Sequence, residues 1–234
     1  MIRTDIKNGG LILMLDIVDN GIVLGAKRHG EKSFILTVFT ENNGKYTGIL
    51  HSIKAPMAGD FVHINWHARV SEQMGTFKID IQKSMAAILL SETKKLSCLS
   101  CLCSLLNSLL PEREALYDFY QETASFLKNI SADNWLVDYI RLERNLLSSI
   151  GFGMDLSRCA GGGDATTLCF VSPKTAKAVS REKGLPYADK LLFLPAFLYK
   201  DAPADDSELK SGLALTGYFL SQHTSLPLMR PFIL

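Results

Sequence analysis

Apolar and polar positions follow two different rhythms along the chain. From Gly21 to about Lys83 they alternate between turn formers, the period of half-buried strands. Gly21-Ile22-Val23-Leu24-Gly25 predicts a first strand, followed by a polar turn from Lys27 to Lys32. Phe34 to Thr40, rich in β-branched and aromatic residues, predicts a second. Asn42-Asn43-Gly44 is a hairpin signal, because Asn and Gly accept positive φ at little cost. Lys45 to Ser52 then returns as a third strand. Ala55 to Asp60 breaks the alternation, and Phe61 to Val70 and Gly75 to Gln82 resume it. Four to five short strands with frequent turns predict a small barrel or sandwich.

From about Met85 the period becomes helical. Leu99, Leu102, Leu105, Leu106 and Leu109 form one apolar stripe. Pro111 is expected to end that helix, and Glu112 and Glu114 to open the next, where the helix dipole favours acids. Leu116, Phe119, Tyr120, Leu127 and Ile130 supply its buried face. Ser131-Ala132-Asp133 predicts a cap for a third stripe from Trp135 to Ile150, closed by Gly151 and Gly153. Such helices on short connections predict a bundle. Between Asp155 and Pro186 the pattern lapses into a Gly-rich insert holding one hairpin, Thr167 to Val171 and Lys177 to Ser180. Asp206 to His223 is helical again. The first thirteen residues show no strand or helix logic, and a flexible extension is expected over 1–18, with Met14 as a candidate start.

Composition narrows the function classes. The 234 residues include 47% hydrophobic and 21% charged, enough for a core and too apolar for disorder. Lys and Arg number 25 against 24 Asp and Glu, so any nucleic-acid surface must come from local segregation of charge. The apolar run Leu11 to Leu15 falls far short of the roughly 20 residues of a membrane span. Without an export signal, an odd number of cysteines, five, implies reduced thiols and a cytoplasmic protein.

Between Gly21 and Lys83 the bases are Lys27, Arg28, Lys32, Lys45, Lys54, Arg69, Lys78 and Lys83, eight against the five acids Glu31, Glu41, Asp60, Glu72 and Asp80. Gathered on one face they would meet phosphates, with Tyr46, Trp66 or His67 as stacking partners for bases. Scattered, they are ordinary solvated charges. Cys98-x-x-Cys101 has ligand spacing, yet with Cys103 it sits within the leucine stripe, where cysteine behaves as a small buried hydrophobe. Gly161-Gly162-Gly163 lacks the Gly-Lys-Ser/Thr ending of a phosphate loop. Four of the five histidines, His29, His51, His63 and His67, fall in the strand-rich half, with no nucleophile elbow or paired acids beside them. No catalytic constellation emerges, and a protein that is not an enzyme is expected.

Several segments, in order, carry a family resemblance. Asp19 to Ser33 resembles the opening strand and turn of the RecO family, in its α-proteobacterial type. Leu109-Leu110-Pro111-Glu112-Arg113-Glu114 resembles its inter-helix junction. Gly151 to Cys159 resembles the approach to its zinc-finger-like insert, and Phe170-Val171-Ser172-Pro173-Lys174 with Ala178 to Glu182 the hairpin that follows. The resemblance runs from about residue 19 to 223.

It implies an α+β protein: an N-terminal oligonucleotide-binding (OB-fold) β-barrel over 19–84, then an α-helical domain over 85–155 and 186–234. A degenerate zinc-finger-like insert over 156–185 interrupts the helical domain. It further implies a recombination mediator of RecF-pathway DNA repair that binds single- and double-stranded DNA, anneals strands and helps load recombinase onto strands coated with single-strand-binding protein. Its expected partners are the RecR protein and the C-terminal tail of single-strand-binding protein, and no cofactor or membrane is expected. DNA binding is assigned to Lys27, Arg28, Lys32, Lys45, Lys54 and Arg69. Lys128, Arg141 and Arg144 are candidates to flank an apolar pocket for the acidic tail, or else form surface pairs with Asp138 or Glu143.

Two departures stand out. Zinc-binding members carry two Cys-x-x-Cys pairs in the insert. Here Cys159 matches the first ligand, Gly162 takes the second, and Ser180 and Lys183 fall at the last pair, so the metal site is expected to be lost. The loop Ser52 to Met57 is also short, with Lys54 its one cation. That weakness favours a rival reading, a protein–protein adaptor with little DNA affinity.

Overall fold

The computed structural model describes residues 2–7, 10–69, 74–224 and 230, with side chains described from Leu15 onward. Val70, at the expected end of the fourth strand, lies outside them. The chain divides into two compact units, one running to Leu127 and the other beginning at Lys128.

The first unit is built on β1 (Ile2–Lys7), β2 (Gly10–Arg28), β3 (Ser33–Thr40), β4 (Gly44–His51), β5 (Phe61–Ala68) and β6 (Gly75–Lys83). β2 to β4 form an antiparallel meander, β4 runs parallel to β6, and β5 pairs with both β6 and β2. That closes five strands into a barrel with OB-fold connectivity. Alternation drives it: along β5, Val62, Ile64, Trp66 and Ala68 point inward while His63 and Asn65 face solvent. Trp66, fully buried, lies across Gly48 and Gly75, where an added Cβ would fall 2.9 and 2.2 Å from the indole. Side chains at either position would displace the largest core residue.

The expected extension over 1–18 requires correction. Ile2 to Lys7 pairs with Leu15 to Gly10, and residues 15–22 pair along β5, so β2 begins well before Gly21. The run Leu11 to Leu15 supplies apolar strand residues that continue into buried Ile17. Two residues, Asn8 and Gly9, separate the paired Lys7 and Gly10 and lie outside the described residues.

α1 (Met85–Ile88), α2 (Thr93–Leu109) and most of α3 (Tyr117–Asn129) belong to the first unit, so the expected domain boundary after residue 84 is not where the structure divides. Apolar contact sets this: Phe39 of the barrel meets Phe119 and Tyr120 at ring-centroid distances of 6.2 and 5.3 Å. α3 starts later than Glu112 and Glu114 suggest. Glu112 instead forms a parallel bridge with Lys45, and Arg113 takes a left-handed φ of 61° that no helix accepts.

The second unit carries α4 (Trp135–Ser149), a small sheet of β7 (Leu168–Val171), β8 (Ala178–Ser180) and β9 (Leu192–Phe193) in the order β8-β7-β9, a one-turn α5 (Arg181–Gly184), and α6 (Asp206–Ser221). α6 opens with a reciprocal cap between Asp205 and Glu208. The sheet confirms the hairpin read from sequence and adds β9.

Candidate nucleic-acid interface

The end of β2 and the turn into β3 expose Lys27, Arg28, His29 and Lys32. Gly30, with φ of 73°, lets the chain reverse, and the Arg28 guanidinium donates to the Glu31 carbonyl at 2.8 Å while resting 5.8 Å from the Phe34 ring. The loop after β4 lies alongside, because Ser52 N donates to Lys32 O at 3.1 Å. Exposed Lys54 and His51 therefore join the same barrel end. Four cations there face one exposed acid in these turns, Glu31, since Asp60 at the end of the loop is buried. This is the segregation of charge that a phosphate-binding surface needs.

Two assigned residues are not part of it. Lys45 is 8% exposed, and its Nζ donates to Asn107 O at 2.9 Å and lies 3.6 Å from Glu112. The reading of Lys45 as a DNA contact is corrected: it ties β4 to the segment after α2. Arg69 is exposed but follows Ala68, which pairs with Leu15 at the other end of β2 from Arg28. The expected stacking aromatics are corrected too. Tyr46 and Trp66 meet edge-to-face inside the core with centroids 4.9 Å apart, closed to bases. His67 is held by Asp16 at 2.6 Å.

The partner-binding cations have structural work in the second unit. Arg141 Nε donates to Phe197 O at 3.1 Å, and Arg144 Nη1 donates to Leu198 O while its other nitrogens hold Asn145 Oδ1. They satisfy carbonyls of a tight turn, and Arg141 lies 3.9 Å from Asp138 in the alternative surface pair. Lys128 is exposed on the last turn of α3.

Sequence reasoning left His51 out of the site, though it is exposed at the same barrel end as Lys54; the pairing of the loop after β4 with Lys32 brings it there, which no local pattern reports.

The insert offers zinc a poor donor set. Cys159 Sγ accepts from Ser180 N at 3.1 Å and lies 3.4 Å from Ser180 Oγ, with Gly162 and Lys183 at the remaining positions. One thiol, a hydroxyl and an ammonium do not make a tetrahedral zinc site. In α2, Cys98 and Cys103 are buried among leucines, and burial pushes the Cys103 thiol up to about 12, with Asp60 and Cys101 adding to it.

Burial raises the Cys159 thiol, but hydrogen bonds from Ser180 and from the amides of Gly163 and Gly161 outweigh it and bring the group to about 7. A folded value below the unfolded one adds stability that is complete above the unfolded pKa and is lost as pH falls through about 7. Thermal melts should therefore show Tm rising between about pH 7 and pH 9, and Cys159→Ala should flatten that rise. Equal slopes for both proteins would remove the thiolate from the insert's stability.

The chain matches two family models, described as Recombination protein O N terminal over residues 14–78 and Recombination protein O C terminal over residues 90–231. It is similar to proteins named DNA repair protein RecO from α-proteobacteria. With that of Cereibacter sphaeroides it is 40% identical over 215 residues, 89% of this chain and 90% of the other. With that of Rhodospirillum centenum the identity is 36% over 217 residues, 89% and 87% of the two chains. With that of Ehrlichia chaffeensis it is 36% over 216 residues, 88% of each.

Proposed function

This chain belongs to the RecO family of DNA repair proteins, and from that premise we propose that it binds single-stranded DNA at the barrel end formed by the β2–β3 turn and the loop after β4. The observation that carries this reading is the clustering of Lys27, Arg28, Lys32 and Lys54 on adjacent turns of a nearly neutral chain. Phosphates meet these cations and release their counterions. Holding strands extended and charge-neutralised lets complementary bases find each other, so annealing follows from binding and orientation, without catalysis of a covalent step. Loading recombinase onto coated strands, with the RecR protein and the tail of single-strand-binding protein as partners, completes the proposal.

A salt titration of fluorescent single-stranded DNA tests this. Four phosphate contacts predict log affinity falling linearly with log salt, with a slope near −3 (about −0.7 for each contact). An absence of binding at low salt would leave the adaptor reading, in which the barrel serves protein partners alone.

A further inference from the structure

β4 and β6 stay parallel for three residue pairs only, from Gly48↔Gly75 to Leu50↔Phe77. β4 then ends at His51, while β6 runs on to Lys83 with β5 alone beside it. The loop after β4 arches across the gap without joining the ladder, and is anchored elsewhere, by Ser52 N on Lys32 O and Gly59 N on Val23 O. Among the described residues, no backbone hydrogen bond reaches Lys78 to Lys83 from the β4 side. A strand paired on one edge points every second N–H and C=O away from its neighbour. That open row borders a cleft of about 780 Å³ between loop and strand. Met57 and Ile81, 53% and 49% exposed, are its apolar walls. Lys54, His51 and Lys78 line it and are exposed. Asp60, its one lining acid, is buried, so the accessible charge is positive. Asp80, the exposed acid of β6, does not line it and accepts from Gln82 Nε2 at 2.8 Å.

An unpaired edge is a template for another strand, and proteins recognise extended peptides this way. The geometry points to this cleft as the docking site of an extended acidic segment of a partner protein, which adds as a strand along Lys78 to Lys83. Its backbone completes the ladder. Alternate side chains are apolar and lie against Met57 and Ile81, and those between carry carboxylates that meet Lys54 and Lys78. A nucleic acid suits the cleft less well. Its sugar–phosphate chain has no row of amides to match the edge, and Phe77, the one phenyl ring of the lining, is buried and offers a base no face. The site belongs to the first unit, whereas Lys128, Arg141 and Arg144 belong to the second. It stands whether or not the turn cations bind DNA.

The probe is a fluorescent synthetic peptide alternating valine with glutamate, long enough to span Lys78 to Lys83, added to the full chain. Polarisation should show it binding about tenfold tighter than the matching valine–lysine peptide, because like charges at the rim reject the latter. Lys78→Glu, at an exposed position, should weaken the glutamate peptide about tenfold and leave Tm unchanged. Amide hydrogen exchange reads the mode of binding. Bound peptide should slow exchange within Lys78 to Lys83 and leave Thr76 and Phe77, already paired on both sides, as they were. No binding, equal affinities for the two peptides, or binding without that protection would overturn strand addition. If oligo-dT protects the same amides and the peptide does not, the cleft is part of a nucleic-acid site and the proposal fails. It fails equally if the protein alone sediments as a dimer whose dissociation on dilution exposes those amides, since a second copy then fills the edge.

Discussion

Reversing two charges in the β2–β3 turn, Lys27→Glu with Arg28→Glu, should weaken single-stranded DNA binding roughly ten- to hundredfold at low salt. The salt slope should become shallower by about 1.4, two contacts at about 0.7 each. Folding should be spared, because both residues are exposed and the Arg28 guanidinium meets a turn carbonyl and the face of Phe34 at the surface. The informative control is Lys45→Gln. Sequence groups Lys45 with the same cations, but its ammonium is spent on Asn107 O and Glu112. Its loss should lower Tm and leave the salt slope intact. If Lys45→Gln changes the slope as much as the turn variant does, the cation cluster is wrongly drawn.

Gly44→Ala should be among the most damaging single changes in the first unit, costing several kcal/mol. Two independent penalties fall on it. Its φ of 83° is left-handed, which costs a side-chain-bearing residue roughly 1 kcal/mol or more. An added Cβ would also sit 2.1 Å from the backbone oxygen of Glu114, which cannot swing aside as a side chain can. The close approach exists because Lys45 pairs with Glu112, and Arg113 N donates to Lys45 O at 2.9 Å. Chemical denaturation should show a large drop in midpoint. Gly30→Ala is the fair comparison, since its φ is also positive but open space surrounds it, so it should cost only the backbone share. Equal losses for the two variants would rule out the contact with Glu114.

Much of the barrel was legible because its strands alternate. Asn42-Asn43-Gly44 marked the hairpin, and Trp135 to Gly151 marked a helix and its stop closely. What escaped was structure set by tertiary partners. Asp19 and Asn20 precede the strand read from Gly21, yet both lie inside β2. Asp19 is buried there because its carboxylate accepts from Asn42 N, Asn42 Nδ2 and Asn43 Nδ2, tying strand to hairpin turn. Pro111 to Leu116 carries acids suited to a helix start and is instead pinned by a barrel strand. The site followed the same division. The exposure of the turn cations was legible because turns are exposed, while the burial of Lys45 and the carbonyl contacts of Arg141 and Arg144 were not, because charge alone does not report a side chain's partners.

One consequence of β2 reaches beyond the finished barrel. Its second half pairs with β3, its immediate successor, whereas its first half pairs with β5, whose residues come some forty positions later. As the polypeptide leaves the ribosome, the meander of β2 to β4 has every partner it needs early. Residues 15–22 must wait as an open edge until Phe61 to Ala68 arrive. Closure is therefore a late, long-range event of the kind that slows folding and exposes strand edges to other chains. Misassembly during synthesis should start at that waiting edge.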